Sequence, residues 1–486
     1  MRFKLHIVIV LAVCLCIAAG VHFTQEFRFY NIESNDLFLY DWADIWTKVQ
    51  NTGGMAALLA SFLTQFMRIP YAGTVIVSVI YVSAAFLLYK MLSCMTKSKS
   101  MAGFSLLPSA FLFLCMENDY YRFQGHIAFV MMLAALYAYV SVDKFKSRYI
   151  LAILVVPVLF YIAGSVAVVF AVSALVYEIV VYGIKGLKAL VYPLVYGATA
   201  WISVKISMVS SWEHAISPFM YYDWPSTYYF PIYAWSIVPI LILSAWVISR
   251  MDMKSSFIKV FIGAGVVFSF FVAGNLYSQV HNKSFYRLIQ EQYWAENEDW
   301  DQIIKTADRR QPTFLISYLN LALAKKGLLL QNFRYYNPQD LSSLMYPTPN
   351  LKTGLSLQSA VYSAWDYYSA ARQAAFDANT VTSGNANPRQ LQILVKTNAA
   401  LGAYDVADKY VSVLEKTLFY RDEARLLREN LSGECDDAIS LPLTDEYVRY
   451  DGIKGDMRDI LEVNPSHEIL SQFYQLYQIL EKEVKR

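Results

Sequence analysis

The sequence predicts an all-α chain in two parts: a polytopic membrane domain of about nine helical spans, then a soluble domain of helical repeats. Three observations predict it. Hydrophobic residues make up 56% of the 486 and charged residues 16%, unlike an ordinary soluble chain. Apolar blocks fill residues 1–275, and Lys and Arg recur at every second gap between them. Beyond Asn275 the apolar residues fall at helical spacing between short polar turns.

The basic gaps orient the chain, because short loops rich in Lys and Arg stay in the cytoplasm. They are Arg2 with Lys4; Lys90 with Lys97 and Lys99; Lys144 with Lys146 and Arg148; Lys185 with Lys188; and Arg250 with Lys254 and Lys259. This ladder places the N-terminus in the cytoplasm and residues 276–486 on the outer side. The net charge of +2 is spread along it and leaves no broad basic patch, so nucleic acid is excluded as a partner. Of five cysteines only Cys435 lies in the exported part, and none of the five has zinc-ligand spacing, so no disulfide framework or structural metal is predicted.

Leu5 to Val21 reads as a signal anchor, with a cleaved signal peptide as the alternative. The exported loop 22–70 follows. Phe38, Trp42, Ile45, Trp46 and Val49 recur at helical spacing and predict an amphipathic helix at the membrane surface. After the turn Asn51-Thr-Gly-Gly54, Met55 to Met67 is apolar but too short to span, and is expected to lie flat or re-enter. Pro70 opens the second span, Tyr71 to Lys90; the third runs near Met101 to Met116 and the fourth from Ile127 to Val142. Tyr149 to Ile184 has basic flanks on both sides, so an even number of crossings must fit inside it. Two short spans hinged near Ala163-Gly164-Ser165 satisfy that condition. Val191 to Met208, Pro231 to Ser249 and Phe257 to Gly274 complete the domain.

In the tail, Gln311 to Gly327 predicts a helix ending in a glycine cap. Gln331 to Asn350 reads as irregular, Gln358 to Ala378 as one helix and Pro388 to Lys416 as helical. Within the last, Ala400-Leu-Gly-Ala-Tyr-Asp-Val-Ala-Asp-Lys-Tyr410 resembles a tetratricopeptide unit, with looser hairpins near Trp300 and Gly327.

Candidate chemistry lies in the outward loops. Glu33, Asp36, Asp41 and Asp44 stand beside the surface helix, where a carboxylate serves as general base or holds a divalent cation beside a lipid pyrophosphate; solvated loop charges are the alternative. Lys205, Arg122 and His126 are candidate contacts for that pyrophosphate, against interfacial snorkelling for Lys205 and a solvated loop for the other two. The loop Trp212 to Phe230 offers His214 and Trp224 for a sugar, against a plain aromatic belt. Glu178 is read as interfacial.

The arrangement of the first span, acidic exported loop, surface helices and proline-led second span resembles the polytopic glycosyltransferases that use polyprenyl-linked sugars, through Asn35-Asp36, Asn51-Thr-Gly-Gly54 and Arg68-Ile-Pro-Tyr71. That resemblance implies a catalytic role for Asp36 or Asp41 and a supporting one for Glu117 or Asp119. Over its length the chain also resembles bacterial inner-membrane proteins with a tetratricopeptide-like tail, which implies the inner membrane and a periplasmic tail. Three functions stand. The first is glycosyl transfer from a lipid-linked sugar. The second is a scaffold recruiting envelope proteins through residues 276–486. The third is a transporter.

Overall fold

A computed structural model describes residues 2–96, 98–224, 230–251, 254–336, 340–345, 352–382, 386–432 and 452–484. Lys97, Cys435 and the stretch 225–229 of the aromatic loop lie outside them. Every regular element among the described residues is a helix, and none is a strand. The chain divides into one unit of Met1–Ile32 with Asp41–His281, and a second of Glu33–Tyr40 with Asn282–Arg486.

The first unit contains α1 (Arg2–Ser34, whose last two residues belong to the second), α2 (Trp42–Gln50), α3 (Gly54–Thr64), α4 (Ala72–Thr96), α5 (Leu107–Cys115), α6 (Gln124–Val140), α7 (Phe145–Ala163), α8 (Ala167–Tyr182), α9 (Val191–Lys205), α10 (Trp212–Ile216), α11 (Phe230–Ser249) and α12 (Ser255–Val280). Six helical segments among the described residues are long and apolar enough to cross a bilayer; one of them, Ala167–Lys205, comprises α8, a 3-10 turn and α9. Ser100–Cys115 and Gln124–Val140 are apolar but shorter.

The amphipathic helix begins at Trp42 and leaves Phe38 outside it. Asp41 is its N-cap, in extended backbone, and its carboxylate accepts from the Ala43 N–H at 3.1 Å. Trp42 and Trp46 stay exposed with rings 6.5 Å apart, and Lys48 pairs with Asp44. In α3 it is the small side that packs inward, with Ala56 and Ala60 fully buried. The turn before α3 is pinned from both sides. The Gly53 N–H donates to the Tyr161 carbonyl at 2.7 Å, and its own carbonyl accepts from Gln124 at 2.9 Å.

The hinge in the long apolar block falls at Gly164, at φ +94°, where a Cβ would stand 2.5 Å from the Met220 sulfur. Glu178 is not interfacial. It is fully buried and receives the Arg148 guanidinium at 2.6 and 3.4 Å and the Tyr139 hydroxyl at 2.6 Å. The rings of Tyr177, Tyr182 and Tyr139 surround the cation at 5.1, 5.5 and 5.8 Å. One of the ladder's basic residues is thus an internal partner, while Lys144 and Lys146 remain exposed.

The second unit contains α13 (Lys283–Glu296), α14 (Trp300–Thr306), α15 (Thr313–Lys325), α16 (Leu329–Asn332), α17 (Lys352–Ala364), α18 (Tyr368–Thr380), α19 (Pro388–Ala400), α20 (Tyr404–Leu414), α21 (Arg421–Ser432), α22 (Ile453–Val463) and α23 (Glu468–Val484). The expected single helix Gln358 to Ala378 is broken at Asp366, the turn between α17 and α18. Four helix ends here share one geometry, with Glu298, Gly327, Asp366 and Gly402 at φ +56°, +71°, +56° and +73°. In each the next N–H reaches back five residues: Asp299 to Trp294, Leu328 to Leu323, Tyr367 to Tyr362 and Ala403 to Asn398, at 2.8–3.0 Å. Two of the four use a side chain where glycine is preferred. Replacing exposed Glu298 by glycine is expected to stabilise the tail by about 1 kcal/mol, and Gly402→Ala to destabilise it similarly. Chemical denaturation checks both.

Two apolar cores fill this unit. One surrounds α15, buried on every side, and includes Trp365 against Phe473 of α23 at 5.1 Å. The other joins Leu391, Leu394, Ala407, Val411 and Tyr420 to Leu37, which comes from the segment between the first two helices of the chain. That segment is bound along its length. The Glu33 carboxylate accepts from Arg389 at 2.9 Å and Tyr420 at 2.8 Å, and the Tyr40 N–H donates to the Lys416 carbonyl at 2.7 Å.

Titration of the tail has a definite sign. Burial pushes the Glu291 carboxyl up to about 8, against the pull of Arg287 at 3.1 Å. The folded state therefore holds a proton that the unfolded state gives up near 4.5. Its contribution is complete below that pH and is lost as pH rises through about 8. Burial also raises Asp366, yet the His467 pair at 3.2 Å holds it below its ordinary value, so its contribution disappears only in acid. Tail stability is expected to fall between pH 5 and 8, and Glu291→Gln to flatten that slope in unfolding midpoints measured across pH.

Candidate functional site

Two loops of the first unit, one between α5 and α6 and one between α9 and α11, are tied together. Tyr121 and Tyr222 form an antiparallel bridge, the Arg122 N–H donating to the Tyr221 carbonyl and the Asp223 N–H to the Tyr120 carbonyl, each at 2.9 Å. The Arg122 guanidinium donates to the Met220 carbonyl and lies 3.5 Å from Asp223. Below the bridge, the Tyr221 hydroxyl donates to the Ala163 carbonyl and accepts from the Val166 N–H, so the aromatic loop is anchored on the α7–α8 hinge.

The loop between α5 and α6 carries a second, more enclosed group. Glu117 follows α5 and is 4% exposed at its side chain. Its Oε1 accepts from Gln25 Nε2 at 2.7 Å; its Oε2 takes Arg28 at 3.0 Å and lies 2.9 Å from Nδ1 of His281. Gln25 and Arg28 are 0% and 2% exposed on α1, and the Gln25 Oε1 is buried without a hydrogen-bond partner. Asn31, one turn further, donates to Asp119. A carboxylate held by an amide, a guanidinium and an imidazole is chemically equipped to orient the imidazole for proton transfer, and its cation suits an anionic oxygen nearby.

The sequence-predicted residues are distributed as follows. Asp36 sits in the bound segment of the second unit, half-buried, and Asp41 caps α2 in the first. Asp119 is held by Asn31 beside Glu117, and Arg122 lies in the loop clasp. His126 is 1% exposed; its Nε2 lies 3.1 Å from the Leu112 carbonyl and 3.3 Å from the Tyr81 hydroxyl, with Phe123 stacked on its ring. It is a packing residue of the core. Lys205 is exposed in the last turn of α9, His214 bonds Ser211 at 2.8 Å, and Trp224 is exposed. Gln25, Arg28 and His281 escape a reading by motif because they are distant in sequence. The available signal was two polar side chains, Gln25 and Arg28, one turn apart beyond an apolar stretch. No cluster of three or more His, Cys, Asp or Glu suited to a metal occurs among the described residues.

An all-helical chain with several helices fit to cross a bilayer is compatible with a membrane protein. The chain belongs to a family of unknown function, DUF6057, whose model matches residues 2–486. It matches no curated protein and no solved structure.

Proposed function

We propose that this is an integral protein of a bacterial inner membrane, with about nine spans and a periplasmic tail, that acts on a lipid-linked sugar at the outer leaflet. The observation that carries this reading is the enclosed Glu117–Arg28–His281 group at the ends of apolar helices, since ionisable groups in such positions mark binding and reaction sites. In it Glu117 orients His281 as the proton acceptor for an attacking hydroxyl, and Arg28 meets the lipid phosphate. Arg122 and Trp224 on the clasped loops approach the sugar. Asp36 and Asp41, implied by resemblance, are held in a bound segment and a helix cap, which favours Glu117 as the working carboxylate.

Purified protein in nanodiscs, supplied with a polyprenyl-phosphate sugar, is expected to transfer or hydrolyse it. Glu117→Gln should lower kcat at least 100-fold, in line with loss of acid–base catalysis, while Asp36→Asn with Asp41→Asn leaves kcat within a factor of two or three. A wild-type protein without turnover, or a Glu117→Gln variant at full rate, ends the assignment.

A scaffold reading has its own support. Successive helices of the tail leave a groove of about 490 Å³ lined by Tyr367, Arg372, Phe376, Leu394 and Tyr410. Capture of an envelope protein by crosslinks from this groove, without enzymatic turnover, would favour it.

A further inference from the structure

Beneath the Glu117 group lies an apolar cleft of about 230 Å³ between α1, α5 and α12, lined among others by Ile17, Val21, Thr24, Phe113, Phe270 and Tyr277. Cleft and charged group are in register. Thr24 lines the cleft and Arg28 follows four residues later; Phe113 is followed by Glu117, and Tyr277 by His281. Three chain segments thus run in the same direction, each carrying a cleft residue one helical turn before a charged one. The ring of Tyr277 stacks on that of His281 at 4.7 Å and joins the two layers.

The hollow exists because the facing positions are small: Gly20, Ser109, Ala110, Ser269, Ala273 and Gly274. Two of its walls, α1 and α12, are the least enclosed apolar segments, each with 11% of its apolar window buried, and they present Leu15, Phe23, Val267 and Phe271 outward. The cleft therefore borders the surface that hydrocarbon would bathe. At about 30 Å³ for a group the size of water or a methylene, it has room for roughly seven or eight such groups, a short length of one hydrocarbon chain.

We propose that this cleft takes the head-proximal part of the single hydrocarbon chain of a polyprenyl-phosphate carrier, entering sideways between α1 and α12, with its phosphate at Arg28 and its neighbours. A carrier of this class presents one chain beside its charged head, whereas a diacyl phospholipid presents two. The inference rests on the lipid-linked-sugar reading above and names the place of the lipid.

The test uses full-length protein in nanodiscs and a photoactivatable polyprenyl phosphate, with adducts mapped by mass spectrometry. Adducts are expected on 16–24 and 269–277, and to be displaced by unlabelled polyprenyl phosphate. Gly20 and Gly274 are in regular helix with no atom within 4 Å of an added Cβ, so bulk fits there without collision. Gly20→Phe and Gly274→Phe, each checked for monodispersity, should each cut labelling at least five-fold. Adducts elsewhere, or labelling untouched by both substitutions, overturn the proposal, as does equal displacement by a diacyl phospholipid. Turnover measured on the same samples separates the two claims: full activity with a filled cleft removes this inference alone, and a labelled cleft without turnover removes the enzymatic reading alone.

Discussion

Replacing Glu178 by alanine is expected to destabilise the first unit by about 3–5 kcal/mol, enough to deplete folded protein, because it strands a buried cation. Arg148 has side-chain exposure of 3% and Glu178 of 0%, and the guanidinium is committed on every side: to Glu178, to the Val142 carbonyl at 2.7 Å and to the Tyr182 hydroxyl at 3.0 Å. These groups come from α7, α8 and the end of α6, while Tyr139 also reaches Tyr192 of α9 at 3.4 Å. One ion pair therefore fastens four helices. Glu178→Gln keeps the shape and the Tyr139 contact but removes the charge, and should lose nearly as much. The double replacement Arg148→Met, Glu178→Leu leaves no charge to strand and is expected to recover most of the loss, as buried pairs exchanged for apolar residues of similar volume generally do. Heating in mild detergent followed by size exclusion reads the folded fraction. If Glu178→Ala and the double variant melt together with wild type, the pair does not hold these helices.

Legibility in the sequence followed the range of the forces involved. Hydropathy and helical periodicity are local, so the apolar helices, the hinge at Gly164 and the glycine-capped turns at Gly327 and Gly402 could be read directly. The turn at Asp366 could not, because an aspartate in left-handed backbone gives no glycine signal. Phe38 has the right spacing to join α2, but Asp41 caps the helix after it, and a cap overrides periodicity at a helix end. The Glu117 group is assembled from three distant stretches, and nothing in the spacing of Gln25, Arg28, Glu117 and His281 announces a meeting. The same holds for Arg148 and Glu178, whose positions near apolar ends fit snorkelling as well as pairing. His126 looked available in an outward loop, yet it opens α6 with its ring among Tyr81, Tyr121 and Phe123, which only tertiary packing decides.

The segment Glu33–Tyr40 makes the strongest claim that sequence alone could not make: the tail's fold is incomplete without eight residues encoded some 240 positions before it. Arg389 is 7% exposed and pairs with Glu33 at 2.9 Å and Glu296 at 2.7 Å, and Leu37 is 7% exposed inside the second core of the tail. Arg389→Ala removes the cation from a buried carboxylate and is expected to destabilise the tail by about 3–5 kcal/mol. Leu37→Ala removes core volume and should lose about 2–5 kcal/mol, without any change of charge. Both act on the same socket, so their combined effect should fall short of the sum, as it does for residues that share partners. Hydrogen exchange localises the outcome: faster exchange in α19, α20 and α21 for both variants, with α13 to α15 affected by Arg389→Ala through Glu296 and spared by Leu37→Ala. Unchanged protection of α19 to α21 in either variant would show that the tail folds independently of the segment. Exchange speeding up equally across all its helices would mean that the two cores unfold as one.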